Sequence, residues 1–110
     1  MFNATRPPFD DVRVRQALNL AIDRDAIVRL YGGPAFAAPT CQVLPPGVPG
    51  HRPYCPYTRN PSRSGRWKEP HVERAQRLVD ASGTRGASVT VWGWTDDAWL
   101  RPPLVEYTAR

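Results

Sequence analysis

Apolar residues fall at Val14, Ala17, Leu18, Ala21 and Ile22, the i, i+3, i+4, i+7, i+8 spacing that lines one face of a helix. Arg13, Arg15, Gln16 and Asn19 lie off that stripe. Pro7 and Pro8 bar an earlier start, and Asp10 or Asp11 stands where a side-chain oxygen can accept from the free N–H groups of the first turn. Asp23 reads as a second N-cap, followed by Ala26, Ile27, Leu30 and Tyr31, with Gly32 and Gly33 able to end the run. The stretch is thus either one kinked helix or two in tandem. A further helix is expected over Val72 to Ser82, where Val72, Ala75, Leu78, Val79 and Ser82 share a face and Gly83 supplies the stop. Glu73 and Arg77 stand i, i+4 on its polar side. Val89 to Trp92, after the turn Thr84 to Ala87, alternates and is β-branched, so a strand is expected there, with a weaker one over Met1 to Thr5. Asp96 or Asp97 could cap a last helix from Ala98, which Pro102 and Pro103 spoil.

Between Pro34 and Pro70 no period of 3.6 or 2 persists. Nine of the 13 prolines lie in this interval, and an unpatterned run of that length is usually functional, stapled or disordered. A staple is to hand. Cys41 and Cys55, the only cysteines, could close a loop of about 15 residues, for which chain entropy gives roughly 3 kcal/mol. Two buried free thiols are the first alternative. A zinc site completed by His51 and His71 is the second, although the spacings match no familiar zinc pattern.

Phe2-Asn3-Ala4-Thr5, then Pro7-Pro8-Phe9-Asp10-Asp11-Val12-Arg13-Val14-Arg15-Gln16-Ala17-Leu18, then Ala21-Ile22-Asp23-Arg24-Asp25-Ala26-Ile27 closely resembles the signature of the family 5 extracytoplasmic solute-binding proteins. These are the oligopeptide and dipeptide receptors of ABC importers. The resemblance extends more loosely through the proline-rich loop, the helix closed by Gly83 and the segment after it. It implies an α/β class: part of one lobe of a type II periplasmic-binding-protein-like fold, with two helical segments, one or two strands and the long loop 34–70. Family members are several times longer, so residues 1–110 are expected to be a piece of a lobe. The implied function is non-catalytic. Two lobes close on a peptide or similar small solute and present it to the permease subunits. By loose alignment the cleft-facing positions are Asn19, Trp94 and Trp99. An exported parent also suits a disulfide between Cys41 and Cys55.

Charge and the remaining motifs alter this picture little. Fifteen basic against 10 acidic residues give +5, favouring loose contact with nucleic acid or anionic lipid. Arginine supplies all but one of the positive charges, as a GC-rich genome would also produce. Tyr54, Tyr57 and Trp67 alternate with Arg52, Arg59, Arg63, Arg66 and Lys68, which motivates a rival reading as a small nucleic-acid-binding module. Its second helix, carrying Asp23 and Asp25, offers phosphates little, and a gene remnant is a third reading. The pairs Asp10-Asp11, Asp23/Asp25 and Asp96-Asp97 each sit where an N-cap is expected, so capping accounts for them better than acid-base catalysis. No nucleophile motif, phosphate-cradling glycine loop or other cofactor signature is present. No apolar run approaches the roughly 20 residues that span a bilayer. The first residues do not read as a secretory signal. Taken alone the chain would stay in the cytoplasm; the resemblance places the parent outside it, membrane-attached only by an anchor, and truncation reconciles the two.

Overall fold

A computed structural model describes residues 3–44, 46–91 and 107. Among the described residues three helices order the chain: α1 (Val12–Ala21), α2 (Arg24–Leu30) and α3 (Val72–Ser82). Several of their boundaries carry a local chemical signal. The Asp11 carboxylate accepts from the Arg13 N–H at 2.7 Å and caps α1. Asp23 does the same for α2 through the Ala26 N–H at 2.9 Å, so the tandem arrangement is the one adopted. Gly33 donates to the Val28 carbonyl at 2.9 Å and stops α2, while Gly83, with φ of +71°, closes α3 in the left-handed conformation that glycine adopts without strain.

The helices α1 and α3 pack antiparallel. At one end the His71 N–H donates to the Leu20 carbonyl at 2.7 Å; at the other, Arg13 Nη1 donates to the Ala81 carbonyl at 2.6 Å. Between these ties Ala17, Leu20 and Ala75 are buried, with Tyr57, Leu78 and Val79 packed around them. Leu20 is 1% exposed and is the largest apolar side chain wholly enclosed. The stripe expected from sequence shares the buried Val14 and Ala17 with this flank but continues through Leu18, Ala21 and Ile22. In the structure Leu18 and Ile22 are half-buried and Ala21 is exposed, because α3 lies against the Val14, Ala17, Leu20 flank of α1.

The proline-rich segment has no core of its own and is held by cross-links. Cys41 and Cys55 form a disulfide with Cα atoms 5.1 Å apart, and Cys55 is buried. The Gln42 amide donates to the carbonyls of Arg52 and Tyr54, drawing the two sides of that loop together. Thr58 is fully enclosed. Its hydroxyl donates to the Glu69 carbonyl at 3.0 Å and accepts from the Lys68 and Glu69 N–H groups at 2.9 and 3.2 Å, so one side chain fastens both ends of loop 59–67. Tyr107 touches α2 from afar: its hydroxyl accepts from the Asp23 N–H at 2.9 Å and donates to the Asp23 carbonyl at 3.1 Å.

Three sequence expectations are corrected. Asn3 to Thr5 is a turn, not a strand, because the Asn3 side-chain oxygen accepts from both the Thr5 N–H (3.1 Å) and hydroxyl (2.7 Å), giving the backbone a local alternative. Residues 89–91 form no strand, and none occurs among the described residues. Alternation gives Val89 and Val91 a common face, but a strand also needs a neighbour for its N–H and C=O groups. The α/β expectation is therefore met only in its helical half. Glu73, finally, does not pair with Arg77; it reaches back to Arg59 (3.5 Å) and His71 (3.2 Å), the direction in which helical side chains lean. Trp92, Asp96, Asp97 and the helix expected from Ala98 lie outside the described residues.

Because Leu20 fills the centre of so small a core, Leu20→Ala is expected to cost about 2–5 kcal/mol. That is a large part of the roughly 5 kcal/mol at the lower end of domain stability. Thermal unfolding followed by circular dichroism should lose its cooperative step; an unchanged transition would contradict the packing described.

Candidate functional site

Two surfaces meet at α1. The first is an apolar groove of about 240 Å3 between the helices, whose walls include Leu18, Ala21, Val72 and Val79, with Gln76 and Arg85 beside them. Arg85 is drawn off by Asp80, 2.5 Å away, so the groove presents mainly methyl groups. Leu18, Ala21 and Val72, which the sequence assigns to buried faces, are the residues that leave it open.

The second surface is polar and lies where α1 passes into α2. Arg24, half-buried, donates from Nη1 to the Thr40 carbonyl at 2.6 Å and from Nη2 to Asn19 Oδ1 at 3.3 Å. Asn19 in turn donates from Nδ2 to the Arg15 carbonyl at 3.0 Å. This chain of contacts ties the last turn of α1 to the residue preceding Cys41. Burial lowers the Arg24 pKa from its ordinary value, since the cation has lost water and gained only neutral oxygens. Its Nε is buried with no hydrogen-bond partner among the described residues.

Of the sequence-predicted positions, Asn19 therefore faces Arg24, while Trp94 and Trp99 lie outside the described residues. His51 Nδ1 contacts the Leu44 carbonyl at 3.0 Å and His71 Nδ1 contacts Glu73 at 3.2 Å; neither turns to the disulfide. Among the described residues no three His, Cys, Asp or Glu side chains converge on a point. Tyr57 packs on the core and Trp67 is half-buried, so the aromatic residues interleaved with arginines do not form a continuous outward stacking platform. Sequence reasoning missed Thr58 and the Arg24–Thr40 tie. Neither leaves a local signal, because each partner is distant in the chain.

A family model for bacterial extracellular solute-binding proteins, family 5 middle, matches residues 1–109. The chain belongs to this family. It is 34% identical over 91 residues to the glutathione-binding protein GsiB of Escherichia coli strain K12, covering 82% of this chain and 15% of that protein. The figures are the same for GsiB of Shigella flexneri, and the identity is 33% for that of Salmonella choleraesuis strain SC-B67. The chain thus spans about 15% of the length of the curated relatives it matches. No solved structure matches it. Among the described residues, no helix is long and apolar enough to cross a membrane.

The start of α1 carries the clearest titratable group. Arg13 donates from Nε to both Asp11 carboxylate oxygens at 3.0 Å and approaches Oδ2 with Nη2 at 2.5 Å. These side-chain bonds first, then the backbone N–H of Arg13, hold the Asp11 carboxyl below its ordinary value of 3.8. A lowered carboxylate stabilises the fold above 3.8, and that contribution is lost as pH falls through the lower folded value. The stability difference between the wild type and Asp11→Asn should accordingly vanish in strong acid. Carbon-detected titration of Asp11 checks this; a midpoint at or above 3.8 would contradict the capping pair.

Proposed function

We propose that the chain is part of one lobe of an extracytoplasmic receptor that captures peptides or similar small solutes for an ABC importer. The observation that carries this reading is the family match along residues 1–109, running through the α1–α2 tandem. The relatives are glutathione-binding proteins, and glutathione is itself a short peptide, which favours a peptide-like solute. The role is binding, not catalysis, with permease subunits as partners through the parent protein. Asn19, Trp94 and Trp99 are the proposed cleft positions, Asn19 acting together with the Arg24 it holds. Loop 34–70 belongs to the same lobe.

The packing is consistent with a lobe that continues beyond these elements. The open α1–α3 groove is apolar enough to seat further secondary structure, as layers around one core require.

A segment exchange tests the reading. The matched stretch of Escherichia coli GsiB is replaced by the corresponding residues of this chain, and the chimera is assayed for cooperative unfolding and, by calorimetry, for binding of glutathione and a panel of short peptides. A folded chimera that retains or retunes peptide binding is expected. A chimera that cannot fold, or that folds and binds no member of the panel, would contradict the assignment.

A further inference from the structure

The disulfide joins residues 14 apart in sequence whose neighbours are fastened to different parts of the molecule. Beside Cys41, the Thr40 carbonyl accepts from Arg24 Nη1 at 2.6 Å, where α1 passes into α2. Beside Cys55, which is itself buried, Tyr57 packs on the α1–α3 core and Thr58 is fully enclosed. The S–S bond is therefore a short covalent route from that core to the α1–α2 junction.

The other fastenings along this route are weak. From Gly32 to Tyr54 no described residue is buried within the chain, so the backbone on either side of Cys41 has little packing to fix it. Gln42 Nε2 donates to the carbonyls of Arg52 and Tyr54, but exposed hydrogen bonds exchange for bonds to water with little net gain. Arg24 adds little hold of its own. It is half-buried, its partners Thr40 and Asn19 offer neutral oxygens, its Nε has no partner among the described residues, and it forms no ion pair among them. A cation so placed has given up hydration for modest return, and it stays on Thr40 only while that carbonyl is kept within reach. The helix pair has separate ties, from the His71 N–H to Leu20 and from Arg13 to Ala81, which do not pass through the cysteines.

We propose that Cys41 and Cys55 are a redox-operated positioning element: forming their bond seats Arg24 against Thr40 and Asn19, while breaking it releases Arg24 and leaves the α1–α3 pair standing. On oxidation the two thiols give two electrons and two protons to a small-molecule disulfide, which leaves as two thiols; excess thiol drives the reverse. The coupling is internal to this chain. Its consequence rests on the solute-receptor reading, in which Asn19 is a cleft position: that part of the cleft would be ordered only after the protein leaves a thiol-rich compartment for an oxidising one.

Proton exchange at Arg24 provides the test, followed by nuclear magnetic resonance on the full chain, oxidised and then reduced with dithiothreitol. In the oxidised chain the Arg24 Nε–H is expected to exchange about tenfold more slowly than those of Arg74 and Arg77, which are exposed on α3. Reduction should bring it to their rate and shift the Asn19 side-chain amide, with the His71 and Ala75 backbone amides unchanged. Cys41→Ser should reproduce the reduced state. Gln42→Ala, which removes the polar ties and keeps the disulfide, should leave Arg24 protected. The proposal is overturned if Arg24 exchanges freely in the oxidised chain or stays protected in the reduced chain and in Cys41→Ser. It is also overturned if Gln42→Ala releases Arg24, or if the His71 and Ala75 amides lose protection together with Arg24, since the disulfide would then hold the whole fold. None of these outcomes depends on solute capture, which the chimera tests separately.

Discussion

The hydrogen bond from the His71 N–H to the Leu20 carbonyl organises the rest of the chain. Leu20 lies in the last turn of α1, where carbonyls have no partner within the helix, and His71 is the N-cap of α3. One 2.7 Å contact therefore satisfies an orphan acceptor and fixes where α3 begins relative to α1. The Leu20 side chain is enclosed beneath it, between Ala17 and Ala75. Small residues at both contact positions let the helices approach, and Arg13, bridging Asp11 and the Ala81 carbonyl, closes the far end of the pair.

Everything between α2 and α3 is a connection whose far end that contact holds against α1. Such a segment, rich in proline and poor in buried apolar groups, has little of its own to offset conformational entropy. Covalent and polar ties take over: the disulfide closes one loop, Thr58 closes the next, and Gly65 lets the two lie in backbone contact. Arg24 then joins the first loop to α1 through Thr40 and Asn19. Apolar surface also stays uncovered among the described residues: the groove between α1 and α3, and exposed side chains of the 41–55 loop such as Val43.

The parts legible in the sequence are those whose causes are local. Asp11, Asp23 and Gly83 mark helix boundaries because each acts on N–H or C=O groups within a turn of itself, and α3 begins and ends where Val72 and Ser82 indicate. Which flank of α1 is covered was not legible. Leu18 and Leu20 are equally apolar, and only the position of α3 decides that Leu20 is enclosed while Leu18 borders a groove. The Thr58 clasp and the contact at Gly65 depend on partners brought together by folding, and a lone threonine or glycine in a loop signals neither. Alternation at Val89 and Val91 records a preference for strand, which stays unexpressed where no strand among the described residues offers a ladder. For the candidate site, the signature residues identified the family, yet the nearest partners of Asn19 proved to be Arg15 and Arg24 of its own neighbourhood.

Amide hydrogen exchange of the oxidised chain, read residue by residue by nuclear magnetic resonance, tests the central tie most directly. If the α1–α3 junction is the keystone, the His71 amide exchanges among the slowest in the molecule, together with the buried Ala75, because both open only when the pair separates. A His71 amide that exchanges as fast as those of an unfolded peptide would contradict the account, since the connection between the helices would then have no fixed end.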